Sequence, residues 1–544
     1  MAIYPQTFGP GHGARIPISV IDERARLEPS SPWVSVPRNE QDLSQGFEDI
    51  TFGQFANAVN HAVHWLQQNL PSASEPFEPF AYSGPRDLRY PILATAAGKC
   101  NRVMILLSSI ITPEAISRIL LQKNCTTYVR DESMADFVGQ LTDFQTKINP
   151  ISAPQLVELL KEEQATPVNY EKSWDIGKDD PWLVFHTSGT TGFPKPVTYT
   201  HRMMAKPDAA ATLDDIWETH INHYASTRCY TPLPALHFVG MLMLTSMSVF
   251  VRTVVVLGPV HSPPNPTTIQ QILEYGKVNG ALLPPALIDT LCLDPSGLST
   301  LRSLDYIHYC GAPLGTVNGN KLAPQVRLAP SIGTTEAGGY LTKLYPTSEY
   351  WDYVSFHPAM GATFEKQLDD MHELVLNRSG NSLDMQQIFQ VYPHLTQFKT
   401  NDLWVQHPTE KGLWKIVGRA DDYIYLAHGE GLHASTLEPE IEKHDLVQSA
   451  LIGGHGQPHP VLLIELVPAG RAQTSTEAQR ATLLESFRPH LERINARCHP
   501  SVQLSIDLVI FINEQKPFIR TAKGSVARMQ SLSLYQDEIA GFFQ

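Results

Sequence analysis

One stretch limits what this chain can fold into more than any other: Thr187-Ser188-Gly189-Thr190-Thr191-Gly192-Phe193-Pro194-Lys195-Pro196. It follows an apolar run, Trp182-Leu183-Val184-Phe185, that reads as a short buried strand. The glycines free the backbone to turn amide N–H groups toward one point, which is how a backbone holds an anion. The hydroxyls of Thr187, Ser188, Thr190 and Thr191 and the ammonium of Lys195 add donors at the same place. A polyphosphate suits such a loop. It is not the G-x-x-x-x-G-K-[ST] loop, which would put a lysine directly after Gly192. Gly, Thr and Pro are also ordinary turn formers, so a polar hairpin with no ligand is the alternative, with phosphate binding the favoured reading.

At 544 residues the chain exceeds one ordinary domain, and 42% hydrophobic with 18% charged residues makes it globular. The net charge of −14 argues against a general nucleic-acid binder. Six scattered cysteines without a C-x-x-C pair predict neither a disulfide framework nor a zinc site. The N-terminal residues show no secretory pattern. The apolar stretch 238–257, interrupted by Arg252, reads as a buried helix followed by a strand over 253–257, not a membrane span. A cytoplasmic protein with no membrane partner is the expectation.

Residues 1–50, rich in Pro and Gly, are expected to wrap the surface. Phe55, Val59, Val63 and Leu66 recur at helical spacing and predict a helix over 51–70. Beyond it, strands at 79–82, 102–107 and 127–129 alternate with helices at 90–99 and 115–121. This alternation predicts an α/β fold, a large body of mixed or parallel sheets with flanking helices. Residues 421–544 read as a small α+β domain, with helices at 437–444 and 478–496 and strands at 449–452, 461–467 and 507–511. The expected division is a body of residues 1–419 and a mobile small domain of residues 420–544.

Further motifs lie downstream. His237 stands between apolar neighbours just before a helix start, where a lone histidine is usually a satisfied core residue. Gly311-Ala312-Pro313 closes a strand; small residues there suit either a turn or close approach to a flat ring. Ser331-Ile332-Gly333-Thr334-Thr335-Glu336 offers a hydroxyl beside a carboxylate, fit for phosphate and magnesium, though it also reads as a helix capping box. Thr400-Asn401-Asp402 supplies a carboxylate able to take two donors at once. Gly418-Arg419-Ala420-Asp421-Asp422 supplies a guanidinium fork.

In this order, over roughly residues 50 to 530, the motifs resemble those of the adenylate-forming superfamily of acyl-CoA synthetases, luciferases and peptide-synthetase adenylation domains. Pro196 after Lys195, His428-Gly429-Glu430 and Lys523-Gly524 look most like adenylation domains of fungal synthetase-like carboxylic acid reductases. The resemblance implies ATP and magnesium as cofactors. It places Thr187 to Gly192 and Lys195 on the phosphates. Gly311, Ala312, Pro313, Ile332, Gly333 and Thr334 go to the nucleotide, Thr335 to a phosphate, Glu336 to the metal, and Asp402 and Arg419 to ribose or phosphate. His237, Phe238, Val239, Gly311, Ala312, Ser331 and Gly333 would wall the substrate pocket. Asp421 would be the hinge, and Gly429-Glu430-Gly431 would help form a tunnel for a thiol. Thr335, Glu336, His237 and Lys523 would be the catalytic set.

The chain departs from the family at four points. Ile332 replaces an aromatic, Asn401 replaces a glycine, and Ser525 stands where the lysine normally follows Gly524, so Lys523 is the candidate. Adenylation domains for α-amino acids carry an aspartate that residues 235–240 lack. A buried ammonium without a counter-charge is costly. The expected substrate is therefore a small carboxylic acid without an α-amino group, and the apolar pocket wall favours an aryl acid. The thiol would be the phosphopantetheine of a carrier domain, in cis or in trans. No carrier serine motif is present, because Gly453-Gly454-His455-Gly456 has no serine. Coenzyme A as acceptor, and a non-catalytic nucleotide-binding module on the same fold, are the rival readings.

Overall fold

The computed structural model describes residue 9 and residues 11–543, except 109–110, 145–146, 188–193, 263, 346, 368–369, 381, 428–429 and 521–525. Strands that are apolar without alternation form two largely parallel sheets, as expected of strands covered on both faces. The first has six strands in the order Asn149–Ser152, Thr127–Arg130, Pro79–Ser83, Val103–Leu106, Pro181–His186, Pro196–Thr200. All its neighbours are parallel except the last pair. The second has seven, in the order Arg327–Ser331, Tyr306–Cys310, Gly280–Leu283, Arg228–Tyr230, Val254–Val256, Pro32–Pro37, Phe47–Thr51, again with only the last pair antiparallel.

Helices fill the space between the sheets and cover both outer faces. One core cluster joins Phe80, Tyr82 and Met104 of the first sheet with Trp33, Val34 and Val255 of the second, through Phe55, Val59, Val63 and Phe250 of intervening helices. The helix Phe52–Asn69 begins at a full capping box: Gln54 N–H donates to Thr51 Oγ1 at 3.3 Å and Thr51 N–H to Gln54 Oε1 at 2.8 Å. Its Phe55 ring stacks on Trp33 at 3.6 Å. Separate clusters cover the outer face of each sheet.

A four-stranded antiparallel sheet follows: Ala362–Lys366, Met371–Asn377, Gln397–Gln406, Trp414–Arg419. The C-terminal residues have their own cores, one running from Ile424 to Val509 and one joining Leu451 and Val461 to Tyr535 and Ile539. Their sheet holds Val447–Gly453, Val461–Leu466 and Val509–Phe511.

Residues 17–37 do not wrap the surface as expected: the helix Pro17–Leu27 buries Ile18 and Ile21, and the strand Pro32–Pro37 lies inside the seven-stranded sheet with Trp33 and Val34 fully buried. Two further expected elements differ. The single helix over 478–496 is two, Glu477–Ser486 and Arg488–Asn495, with Pro489 in the first turn of the second. Proline has no N–H to give the preceding turn, so it starts a helix better than it continues one. The helix beginning at Phe238 contains a π-helical turn, Met243–Met247, before Ser248–Phe250. Among the described residues no helix is long and apolar enough to cross a membrane.

Candidate active site

The donor-rich loop connects the two antiparallel strands that end the six-stranded sheet. Thr187 N–H donates to Lys195 O at 3.0 Å and Lys195 N–H to Thr187 Oγ1 at 3.1 Å, closing the base. Ser188, Gly189, Thr190, Thr191 and Gly192 lie outside the described residues. Lys195 is exposed.

The second strand of that hairpin carries Tyr199, whose buried hydroxyl donates to Thr335 O at 2.9 Å. Thr335 and Glu336 sit at the turn of a second, very short hairpin, in which Gly333 faces Gly339 and Thr334 faces Gly338. A Cβ at position 333 would stand 2.3 Å from Gly338 O, so the pairing needs glycine there. The G-T-T-E run caps no helix: Thr334 Oγ1 accepts the Ala337 N–H at 3.0 Å and stabilises a turn. That bond leaves Thr335 and Glu336 at the turn's outside.

Lys206 holds this hairpin from behind. Its ammonium is buried and donates to Gly339 O at 2.5 Å and to Gln387 Oε1 at 3.0 Å, with Met360 Sδ at 3.7 Å. Among the described residues no carboxylate pairs with it, and burial pulls its pKa down to about 7.

Asp402 and Arg419 face each other across adjacent strands, with Arg419 Nη1 3.2 Å from Asp402 Oδ1. Asp402 is 6% exposed, and its own N–H donates to Thr400 Oγ1 at 3.1 Å. Asn401 has φ 59°, the left-handed region that a glycine would take easily and asparagine tolerates.

Tyr340 marks where these pieces meet. Its hydroxyl is buried and makes no hydrogen bond of ordinary geometry, with Thr334 beside it. Burial, then the negative charges of Asp402 and Glu336, hold the phenol well above its usual range, while Arg419 acts the other way. Glu336 also raises Tyr199 and Tyr392, in each case after burial. The charges of Glu336, Asp402 and Arg419 therefore all act on one buried ring.

Gly311 (φ 89°), Ala312 and Pro313 leave the C-terminal end of the strand Tyr306–Cys310, next to Ser331 and Ile332 at the end of Arg327–Ser331. The three are exposed, and Ile332 packs against the main core. His237 is half-buried and precedes the helix Phe238–Leu242. Phe238 faces the core: its ring lies 5.8 Å from Phe185 and 5.0 Å from Tyr199, so at 7% exposure it forms a floor more than a wall. Val239 is half-buried.

The side chain of Asp421, and Gly429 and Lys523, lie outside the described residues. Arg520 and Val526 pair antiparallel and Ala527 N–H donates to Ile519 O at 2.7 Å, so a closed base bounds residues 521–525.

Among the described residues no group of three or more ligating side chains could hold a metal by itself. Glu336 as a lone carboxylate fits magnesium, which takes most of its ligands from phosphates and water. A nucleotide fits the same donor set: a buried hydroxyl at Tyr340, a carboxylate at Asp402 and a guanidinium at Arg419. A cleft of about 880 Å³ lies elsewhere, along the edge strand Arg327–Ser331, and none of the expected site residues lines it.

Sequence reasoning missed Tyr199, Tyr340, Lys206 and His186. Only His186, directly ahead of the loop, carried a local signal.

A family model described as AMP-binding enzyme matches residues 23–363, and one described as AMP-binding enzyme C-terminal domain matches residues 421–544. The chain is 28% identical to a carboxylic acid reductase of Neurospora crassa over 99% of its own length and 51% of that protein. It is 30% identical to the isocyanide synthase–NRPS hybrid crmA of Aspergillus fumigatus over 98% of its length and 34% of that protein. It thus spans about half or less of these curated relatives. The ATP-bound MatB of Rhodopseudomonas palustris superposes with a TM-score of 0.71 at 16% identity, covering 96% of this chain and 99% of that one, a likeness of fold.

Proposed function

The chain belongs to the AMP-binding enzyme family, and on that premise we propose that it activates an aryl or other non-amino carboxylic acid with ATP and passes the acyl group to a thiol. A carboxylate is a poor electrophile because oxide is a poor leaving group. Joined to the α-phosphate, with pyrophosphate released, it gains AMP as its leaving group. The thiol sulfur then bonds to the acyl carbon, the bond to AMP breaks, and the thiol proton goes to solvent. The thiol is the phosphopantetheine of a carrier domain, as suits relatives named as reductases and as a synthetase hybrid.

The observation that supports this reading most is the convergence on Tyr340 of Thr334, Glu336, Asp402 and Arg419. These residues come from three separate motifs. The Tyr199–Thr335 bond ties the donor-rich hairpin to the same place. Holding two anions together needs donors fixed in advance, because each donor placed before the reaction need not reorganise during it. In this proposal Thr187, residues 188–192 and Lys195 hold the β- and γ-phosphates. Thr335 donates to a phosphate oxygen. Asp402 accepts the ribose hydroxyls, with Arg419 beside it, and residues 311–313 and 332–334 border the adenine. Lys523 meets the carboxylate and α-phosphate, and Asp421 is the pivot that brings it there. Glu336 would hold magnesium, which neutralises phosphate charge.

ATP–pyrophosphate exchange with a panel of aryl acids and amino acids tests the reading, with hydroxamate trapping of the activated acid. Exchange is expected with aryl acids and absent with ordinary amino acids. Robust exchange with amino acids refutes the acid class; no exchange with any acid refutes the activity. Thioester formation on a pantetheinylated carrier, set against free coenzyme A, decides the acceptor.

A further inference from the structure

His186 is the last residue of the strand Pro181–His186, opposite Pro196 at the base of the donor-rich hairpin. The side chain is 7% exposed. Its Nδ1 lies 3.0 Å from Thr187 O. A carbonyl oxygen can only accept, so Nδ1 carries the hydrogen. Burial disfavours the charged ring, and its pKa is lowered accordingly. A neutral imidazole with its hydrogen on Nδ1 presents a bare lone pair at Nε2.

That Nε2 is buried and, among the described residues, has no hydrogen-bond partner. Buried acceptors are nearly always satisfied, and an exception calls for an explanation. His237 is the neighbouring ring, edge-on with centroids 6.5 Å apart. Ring nitrogens lie only about 1.2 Å from their centroids, so the gap exceeds the reach of a direct hydrogen bond. Among the described residues no donor meets Nε2, and His237 is the ring beside it.

We infer that His186 is a specificity-determining residue that accepts a hydrogen bond from a neutral donor on the acid, a hydroxyl placed next to the carboxyl group. This rests on the proposed function, with His237 at the carboxylate end of the pocket. A carboxylate oxygen cannot fill the role, because two lone pairs would oppose each other. A substrate ammonium could donate, but no acid stands among residues 235–240 to balance it. The position ahead of the phosphate-holding hairpin sets the donor near the reacting carboxyl group and not at the far end of the molecule. The favoured substrates are therefore 2-hydroxy acids, aromatic ones included.

Matched pairs test this in ATP–pyrophosphate exchange: benzoate against 2-hydroxybenzoate and 4-hydroxybenzoate, and phenylacetate against mandelate. The wild-type protein is expected to favour the 2-hydroxy member by about tenfold or more in kcat/KM, since an analogue lacking the donor leaves Nε2 unpaired. His186→Phe should bring the ratio close to one. His186→Asn, which keeps an acceptor, should retain part of the preference. Equal use of both members by the wild-type protein overturns the inference while leaving acid activation intact, and it needs no variant to fold. A preference that survives His186→Phe overturns it as well. Exchange with no acid at all refutes instead the proposed function beneath it.

Discussion

At the residue scale the informative positions are those where a side chain fits a backbone that few could adopt. Asn401, in the left-handed region at φ 59°, donates its N–H to Glu373 Oε1 at 3.1 Å and sets the direction of Asp402. Asn401→Gly should therefore leave stability within about 1 kcal/mol of wild type, whereas Asn401→Val should lose about 1–3 kcal/mol, because a β-branched residue is strained there. Urea unfolding measures both; equal losses would show that the backbone at 401 is not the constraint. Tyr199 makes the complementary case. Tyr199→Phe keeps the ring and removes only its bond to Thr335 O, a change of about 0.5–1.5 kcal/mol in stability. If that bond also orients the turn, the exchange rate at saturating acid should fall further than the stability loss explains. A rate unchanged within twofold would reduce Tyr199 to a core contact.

At the element scale the hairpin of Gly333–Thr334 and Gly338–Gly339 has strands of only two residues, too short to hold themselves. Lys206, Gln387 and Tyr199 hold it from outside. Because burial lowers Lys206 to about 7 from 10.5, the folded chain binds fewer protons than the unfolded chain between those values. Stability should accordingly rise with pH above about 7, by at most about 1.4 kcal/mol per unit from this group. In Lys206→Met that contribution to the slope should vanish, as unfolding midpoints at pH 7, 8 and 9 would reveal; parallel dependence in both proteins would mean the ammonium is not desolvated. None of this support was readable in advance. The apolar run 182–185, the spacing of Phe55, Val59, Val63 and Leu66, and the residues of the G-T-T-E and G-R-A-D-D runs are local patterns, and local patterns appear in a sequence. Lys206 reaches Gly339 across more than a hundred residues, and Tyr340 feels the charges of Asp402 and Arg419 from strands far along the chain, so their roles exist only once the chain has folded. The helix break at Pro489 was legible, since proline's missing N–H is a local fact; the π turn at Met243–Met247 was not, because its cause lies in the packing around it.

At the scale of the whole molecule the question is where the C-terminal part can turn. Arg419 ends the four-stranded sheet and is tied to it through Asp402. Asp422, three residues on, pairs at 3.0 Å with Arg528, whose guanidinium also binds Glu438 in the C-terminal core region. Ala420 and Asp421 stand between an anchor on one side and an anchor on the other, which is where the proposed pivot lies. Contacts cross this junction, among them one in which His433 Nε2 meets Arg419 O at 2.9 Å, close against Gly418, where a Cβ would lie 2.4 Å from the ring. The proposed rotation would break that bond, a net loss of about 1 kcal/mol. If the two half-reactions use different orientations, stiffening the pivot should separate them. Asp421→Pro fixes φ and is expected to leave pyrophosphate exchange within about threefold, while transfer to the carrier thiol falls at least tenfold, as gating by a slowed rotation requires. An equal fall in both rates would point to lost structure, which a melting curve would reveal. An unchanged transfer rate would move the pivot away from residue 421.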